Sequence, residues 1–98
     1  AVAESFLIAM NGRDDGLLRR TLLAGSGAER RFMEEVRQAP GLRLAEPLKG
    51  GEALGLTARV DGTVWLERGG NREKRPVTFH LRRKAEGEPW KIAEVDGW

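Results

Sequence analysis

The hydrophobic period of this chain changes once, from 3.6 residues to 2, and the change falls at Pro40-Gly41. Before that point Val2, Phe6 and Met10 recur at helical spacing, with Ala3 and Leu7 beside them, until Asn11-Gly12 ends the stripe. Asp14 or Asp15 can cap a second short helix that carries Leu17, Leu18, Leu22 and Leu23 and stops at Gly25. Ser26-Gly27-Ala28-Glu29 has the S-x-x-E form of a capping box. Ala28, Phe32 and Val36 follow it at helical spacing with Met33 alongside, and Pro40-Gly41 ends this third helix. A chain whose helices all precede its strands packs them on one face of the sheet that follows.

After Gly41 the alternation is that of strands. Leu42 and Leu44 alternate with polar residues, and Lys49-Gly50-Gly51-Glu52 reads as a turn. From Leu54 the even positions Leu54, Leu56, Ala58, Val60, Gly62, Val64 and Leu66 are apolar or small. The odd positions, among them Thr57, Arg59, Asp61, Thr63 and Trp65, are largely polar. Asp61-Gly62 is a hairpin signal in the middle of this run. A two-residue turn there would place Val64 and Leu66 on one face with Arg59 and Thr57, so the parity favours one long strand, bent or bulged at Gly62. Arg68-Gly69-Gly70-Asn71 turns the chain. The next strand sets Val77, Phe79 and Leu81 against Arg72, Lys74, Thr78, His80, Arg82 and Lys84. Ala85-Glu86-Gly87-Glu88 turns it again, and Trp90 to Val95 is the last strand.

The expected fold is therefore α+β: three N-terminal helices on one face of a curved, mostly antiparallel four-stranded sheet, all within a single domain spanning residues 1–98. Trp90 and Ile92 are expected to close the core. A buried Trp removes ~200 Å² from water, so Trp90→Ala should cost ~3–5 kcal/mol. The chain has no cysteine, which excludes disulfides, thiolate metal sites and Cys nucleophiles. It has no run of ~18 apolar residues that could span a bilayer as a helix. It opens at Ala1 rather than Met, which leaves room for a removed signal or anchor as well as for simple trimming. The compartment stays open between cytoplasmic and extracytoplasmic.

The opening helix with Ala3, Phe6, Leu7 and Ala9 breaks at Asn11-Gly12-Arg13-Asp14. Two short helices and a meander ending in Trp90-Lys91-Ile92 follow. In this order and spacing the chain resembles the nuclear-transport-factor-2-like superfamily, which has a cystatin-like α+β fold. The closing Trp90-Lys91-Ile92 is similar to the Gly-x-Trp-x-Ile ending common there, with Gly87 one residue further upstream than that pattern has it. The resemblance spans nearly the whole chain. It implies a group that mixes isomerases, dehydratases and epoxide hydrolases with transport factors, secretion components and small accessory domains. The enzymes of the group place Asp, His or Tyr inside the cone between sheet and helices. This chain has no Tyr, and its single His falls on the polar parity of its strand, so no catalytic residue carries over.

The candidate functional residues therefore lie on the outer, polar face of the sheet. His80 alternates with Phe79 and Leu81 and points away from the helices. Arg72, Lys74, Arg82 and Lys84 form a basic stripe. Residues 68–84 hold seven basic residues and one acidic, against a net +2 for the chain, so the remainder is net negative. Trp65 shares its face with Arg59 and marks a contact patch, and in the superfamily that this chain resembles the outer sheet face commonly pairs with another subunit. The partner surface read from the residues is thus Arg59, Trp65, Arg72, Lys74, His80, Arg82 and Lys84. Asp14-Asp15 and Glu34-Glu35 do not converge on one point and supply no metal or acid–base pair. No cofactor motif is present, and no catalytic or metal residue is assigned.

The leading expectation is a non-catalytic binding or accessory domain, acting through protein or small-ligand contact or as a homodimer through the outer face. One alternative is a small-molecule isomerase or dehydratase, for which Glu46 and Glu94 are the strand carboxylates available. The other is binding of nucleic acid or lipid headgroups through the basic strand. The scarcity of base-stacking aromatics on that face argues against nucleic acid.

Overall fold

The apolar stripes of the N-terminal third do fold as helices. A computed structural model describes residues 2–38 and 41–98, and for residues 51 and 52 the backbone alone. Helix α1 spans Val2–Gly12 and buries Ala3, Phe6, Leu7, Ala9 and Met10. Helix α2 spans Asp15–Thr21, with Asp14 as its N-cap: the carboxylate accepts from the backbone N–H of Leu17 at 3.1 Å. It ends four residues before the expected stop at Gly25. Leu22 and Leu23 leave the helix in extended form, Leu22 bridging to Ile92 while the N–H of Leu23 donates to the Ile92 carbonyl at 2.8 Å. These two residues are worth more covering a sheet edge than extending a seven-residue helix.

Helix α3 spans Gly27–Glu35 and continues into a 3₁₀ turn, Val36–Gln38. The expected stop at Pro40 lies outside the described residues. The N–H of Glu29 donates to Ser26 Oγ at 3.1 Å, the forward half of a capping box. The return bond reaches one residue further back, from the N–H of Gly25 to Glu29 Oε1 at 3.2 Å. Ser26 Oγ also donates to the Leu23 carbonyl at 2.6 Å, tying the cap to the connection that covers the sheet edge. Ser26→Ala removes both bonds. It should lower stability by about 1 kcal/mol, or roughly 5 °C in melting temperature for a chain this size. A thermal melt matching the parent would show that the cap carries no such weight.

The sheet has five strands, not four. They are β1 (Gly41–Leu44), β2 (Lys49–Leu54), β3 (Thr57–Arg68), β4 (Asn71–Arg82) and β5 (Lys91–Asp96). The pairings among these five strands are antiparallel. β3 pairs along its whole length with β4, while its other edge is shared by β1 at the Leu66 end and β2 at the Thr57 end. Lys49 to Glu52, read from the sequence as a turn, is the start of the extra strand. Its glycines fall where the register shifts between Gly50 and Ala53, a bulge rather than a reversal.

β3 is the long strand that the parity of residues 57–68 requires, with no hairpin at Asp61-Gly62. It carries no bulge toward β4 at Gly62, because the register runs unbroken from Thr57↔Arg82 to Arg68↔Asn71. Gly62 serves packing instead: a Cβ there would meet Leu48 Cδ2 at 2.5 Å. The reversal comes earlier, at Gly55-Leu56, where Leu54 pairs with Thr57. Leu54 and Leu56 were expected on the apolar face, yet they are 72% and 44% exposed. A two-residue turn moves Leu54 across to the polar face and leaves Leu56 at the tip.

The core lies between the helices and the inner face of the sheet. Phe6, Phe32, Phe79, Met10, Leu18, Ile92, Val36 and Val64 are its fully buried large side chains. Phe6 is the hub of an edge-to-face aromatic cluster, with ring centroids 5.0 Å from Phe32, 5.6 Å from Phe79 and 5.5 Å from Trp98. Trp98, and not Trp90, is the tryptophan of this cluster. Trp90 is only partly buried and lies under the Arg83 guanidinium, 4.4 Å from the ring centroid. The expectation for Trp90 is thereby narrowed: like Trp98 it is partly buried and packs against the core, but it stands outside the aromatic cluster. Trp90 precedes β5, which starts at Lys91, and its ring braces Arg83 at the end of the sheet.

Candidate functional site

Strand parity on β3 and β4 puts Arg59, Trp65, Arg72, Lys74, His80 and Arg82 on the outer face, and their cross-strand partners confirm it: Arg59↔His80, Trp65↔Lys74, Glu67↔Arg72 and Thr57↔Arg82. Lys84 does not join them. β4 ends at Arg82, and Lys84 lies in the bend beyond it. The other six divide between two ends of one face.

At the far end, toward the β3–β4 turn, Trp65 is partly buried beneath two cations. Arg72 lies 5.2 Å and Lys74 5.8 Å from its ring centroid. Both cations also meet carboxylates, Arg72 with Glu67 at 3.2 Å and Lys74 with Glu46 at 3.8 Å. Arg43 is the cross-strand neighbour of Trp65 from β1. A small recess of about 160 Å³ opens here, lined by Asn11, Arg43, Trp65, Glu67 and Arg72 among others. The basic stripe is thus partly neutralised where it meets Trp65, and the half-buried ring lies beneath the charged ends of Arg72 and Lys74.

Nearer the middle, the face carries Asp61 and Asp96 besides the expected strand carboxylate Glu94. His80 Nε2 lies 2.7 Å from Asp96 Oδ2, a distance at which the ring N–H donates to the carboxylate. Asp61 accepts from Thr78 Oγ1 at 2.8 Å and pairs with Arg59 at 3.2 Å. Glu94 stands opposite His80 on β5. The signal for Asp96 was available, since it shares the parity of Glu94 along β5. Its approach to His80 is diagonal across the two strands, which alternation does not reveal.

A cleft of about 420 Å³ lies beside this array, between the α2–α3 connection (residues 23–27) and the ends of β3, β4 and β5. Ala58, His80, Leu81 and Glu94 line its sheet side. The two carboxylates available to an enzyme reading do not enter the core. Glu46 follows β1 and is exposed beside Lys74, and Glu94 is exposed on the outer face. Thr21 is the buried polar side chain among the described residues, and its hydroxyl donates to the Leu18 carbonyl at 2.8 Å. Among the described residues no three His, Asp or Glu side chains gather as a metal site, and no helix is long and apolar enough to cross a membrane.

No family model and no curated protein matches the chain. Solved structures do match it in fold. A ketosteroid isomerase candidate from Shewanella frigidimarina superposes with a TM-score of 0.67 at 18% identity, covering 96% of this chain and 89% of that one. A nuclear-transport-factor-2-like protein of unknown function from Shewanella oneidensis gives 0.64 at 12% identity, covering 96% and 90%. A ketosteroid isomerase-like protein from Erwinia carotovora atroseptica gives 0.59 at 19%, covering 96% and 87%. The architecture of this chain is that of the nuclear-transport-factor-2-like fold, shared over nearly its full length.

Proposed function

We propose that this chain uses the nuclear-transport-factor-2-like fold as a non-catalytic binding domain, working through the outer face of its sheet and pairing there with a second copy. The observation that carries this reading is the filled interior. The space between helices and sheet, where a reaction chamber would need desolvated polar groups, holds the Phe6–Phe32–Phe79–Trp98 cluster. General acid–base chemistry on a bound substrate draws on desolvated carboxylates or imidazoles, and among the described residues no acid and no histidine is buried.

The outer face supports the pairing reading by its charge layout. Arg43, Arg72 and Lys74 surround Trp65 at one end, with Glu46 and Glu67 beside them, while Asp61, Glu94 and Asp96 lie toward the other, with Arg59 and His80 beside them. Two such faces related by a two-fold axis set the basic end of each copy over the acidic part of its mate. Trp65 supplies the apolar contact that such an interface centres on. Sedimentation equilibrium tests it. The parent chain is expected to associate reversibly and Trp65→Asp to remain monomeric, with both melting alike. A parent chain that stays monomeric across the accessible concentration range overturns the pairing.

One observation favours a second reading, an isomerase-like enzyme: His80, which bonds Asp96, lines the 420 Å³ cleft together with Glu94 in a fold that ketosteroid isomerase-like proteins share. Turnover of a small β,γ-unsaturated ketone that disappears in His80→Gln would replace the binding-domain reading with this one.

A further inference from the structure

The β2–β3 turn holds two leucines in water that the fold does not need there. Leu54 is 72% and Leu56 44% exposed. They flank Gly55, whose φ of 57° at the first central position, followed by a residue with negative φ, fits a type II′ turn. Polar residues would close the same turn.

This tip is braced rather than loose. Arg83 Nε and Nη2 both donate to the Gly55 carbonyl, at 2.9 and 2.7 Å. The N–H of Arg83 donates to the Leu56 carbonyl at 3.0 Å, and its guanidinium covers the Trp90 ring. Further cations lie at the same end of the sheet. Arg82 is the cross-strand partner of both Thr57 and Lys91, Lys84 follows in the bend, and Lys91 Nζ donates to the carbonyl of Arg20. Glu86 and Glu88, in the next turn, offset part of this charge and leave the end of the sheet net positive.

We propose that this end of the molecule docks on an anionic lipid surface. Leu54 and Leu56 enter the acyl boundary, Trp90 lies at headgroup level, and Arg82, Arg83, Lys84 and Lys91 meet the phosphates and carboxylates. The shape and the charge together select this occupant. A two-residue turn is a narrow convex point, which a deformable apolar layer accepts more readily than a folded protein surface does. Apolar side chains accompanied by cations and an amphipathic aromatic are the composition of a membrane-surface anchor. The mode is peripheral, in keeping with helices too short to span. It centres on the Gly55 end of the sheet, whereas the pairing centres on Trp65 near the β3–β4 turn; Leu54 and Arg82 share the outer face with Trp65, so self-association is measured beside vesicle binding to keep the two proposals apart.

The test is co-sedimentation with phosphatidylcholine vesicles prepared with and without phosphatidylserine, at two salt concentrations. The parent chain should bind the anionic vesicles preferentially and more weakly at high salt. Leu54→Ser with Leu56→Ser should weaken binding at least about tenfold. Arg82→Ser with Lys84→Ser should weaken it by roughly twentyfold and flatten the salt dependence. All four positions are at the surface, so melting temperatures should hold in both variants. No preference for anionic vesicles overturns the proposal, as does a leucine variant that binds like the parent. A leucine variant whose only change is loss of self-association assigns the tip to a second copy and overturns it too. So does binding of single-stranded nucleic acid that needs Arg82 and Lys84 but not the leucines.

Discussion

Replacing Phe6 by Ala lowers the melting temperature by on the order of 20 °C, while replacing Trp90 by Ala lowers it by only a few degrees. Phe6 is fully buried and meets three other aromatic rings edge to face. Phe→Ala at such a site costs ~3–5 kcal/mol, the transfer free energy of the ring plus the cavity that a rigid neighbourhood leaves behind. That is a fifth or more of the ~5–15 kcal/mol that holds a domain of this size together. One kcal/mol shifts the melting temperature by ~4–8 °C at this length. Trp90 is larger, but it packs on the core only partly buried, and its contact with the Arg83 guanidinium is worth ~0.5–1 kcal/mol. The pair is read by thermal and urea denaturation of the two variants side by side. Equal losses would mean that Trp90 is a core residue after all and that the aromatic cluster is not centred on Phe6.

That comparison also shows what periodicity can and cannot reveal. Helices α1 and α3 were legible because a stripe and a punctuation mark agreed: Phe6 and Met10 before Asn11-Gly12, Phe32 and Val36 after the Ser26 cap. β3 was legible because its alternation outvoted the Asp61-Gly62 turn signal. The errors came where alternation ran on across a reversal. Leu54 and Leu56 keep even parity with Ala58 by coincidence, so the pattern carried them into the core although the chain turns at Gly55. Gly50-Gly51 reads as a turn because glycine has little strand propensity, but the edge of β3 was open there and pairing decided the matter.

The candidate surface was legible to the same depth. Parity on β3 and β4 put Trp65, Lys74 and His80 on one face, and they are there. Lateral neighbours are another matter. His80 stands opposite Glu94 but reaches diagonally to Asp96, and how far Trp65 is covered depends on where the charged ends of Arg72 and Lys74 lie. Neither follows from spacing along the chain. Trp98 fell outside any periodic segment and so gave no sign of burial. What places it is the backbone of the residue before it.

Gly97→Ala should therefore act well beyond its size, lowering stability by about 1–3 kcal/mol. Gly97 has φ of 83°, a left-handed conformation that costs an L-residue with a Cβ roughly 1–2 kcal/mol. The Cβ would also fall 2.3 Å from the carbonyl oxygen of Pro76, and that neighbour is backbone held in β4, with no flexible side chain to swing away. The cheapest relief is for Gly97 and Trp98 to lift from the sheet. Trp98 then leaves Phe6 and Phe32, and the bond from Arg31 Nη2 to the Trp98 carbonyl, 3.1 Å long, is lost. The near-ultraviolet circular dichroism of the aromatic cluster should fall along with the melting temperature, whereas Trp98→Ala should weaken the same signal without straining the backbone. A Gly97→Ala chain that kept both the aromatic signal and the parent melt would show that the Pro76 strand yields to the methyl group, and that the turn at Gly97 does not hold Trp98 in the core.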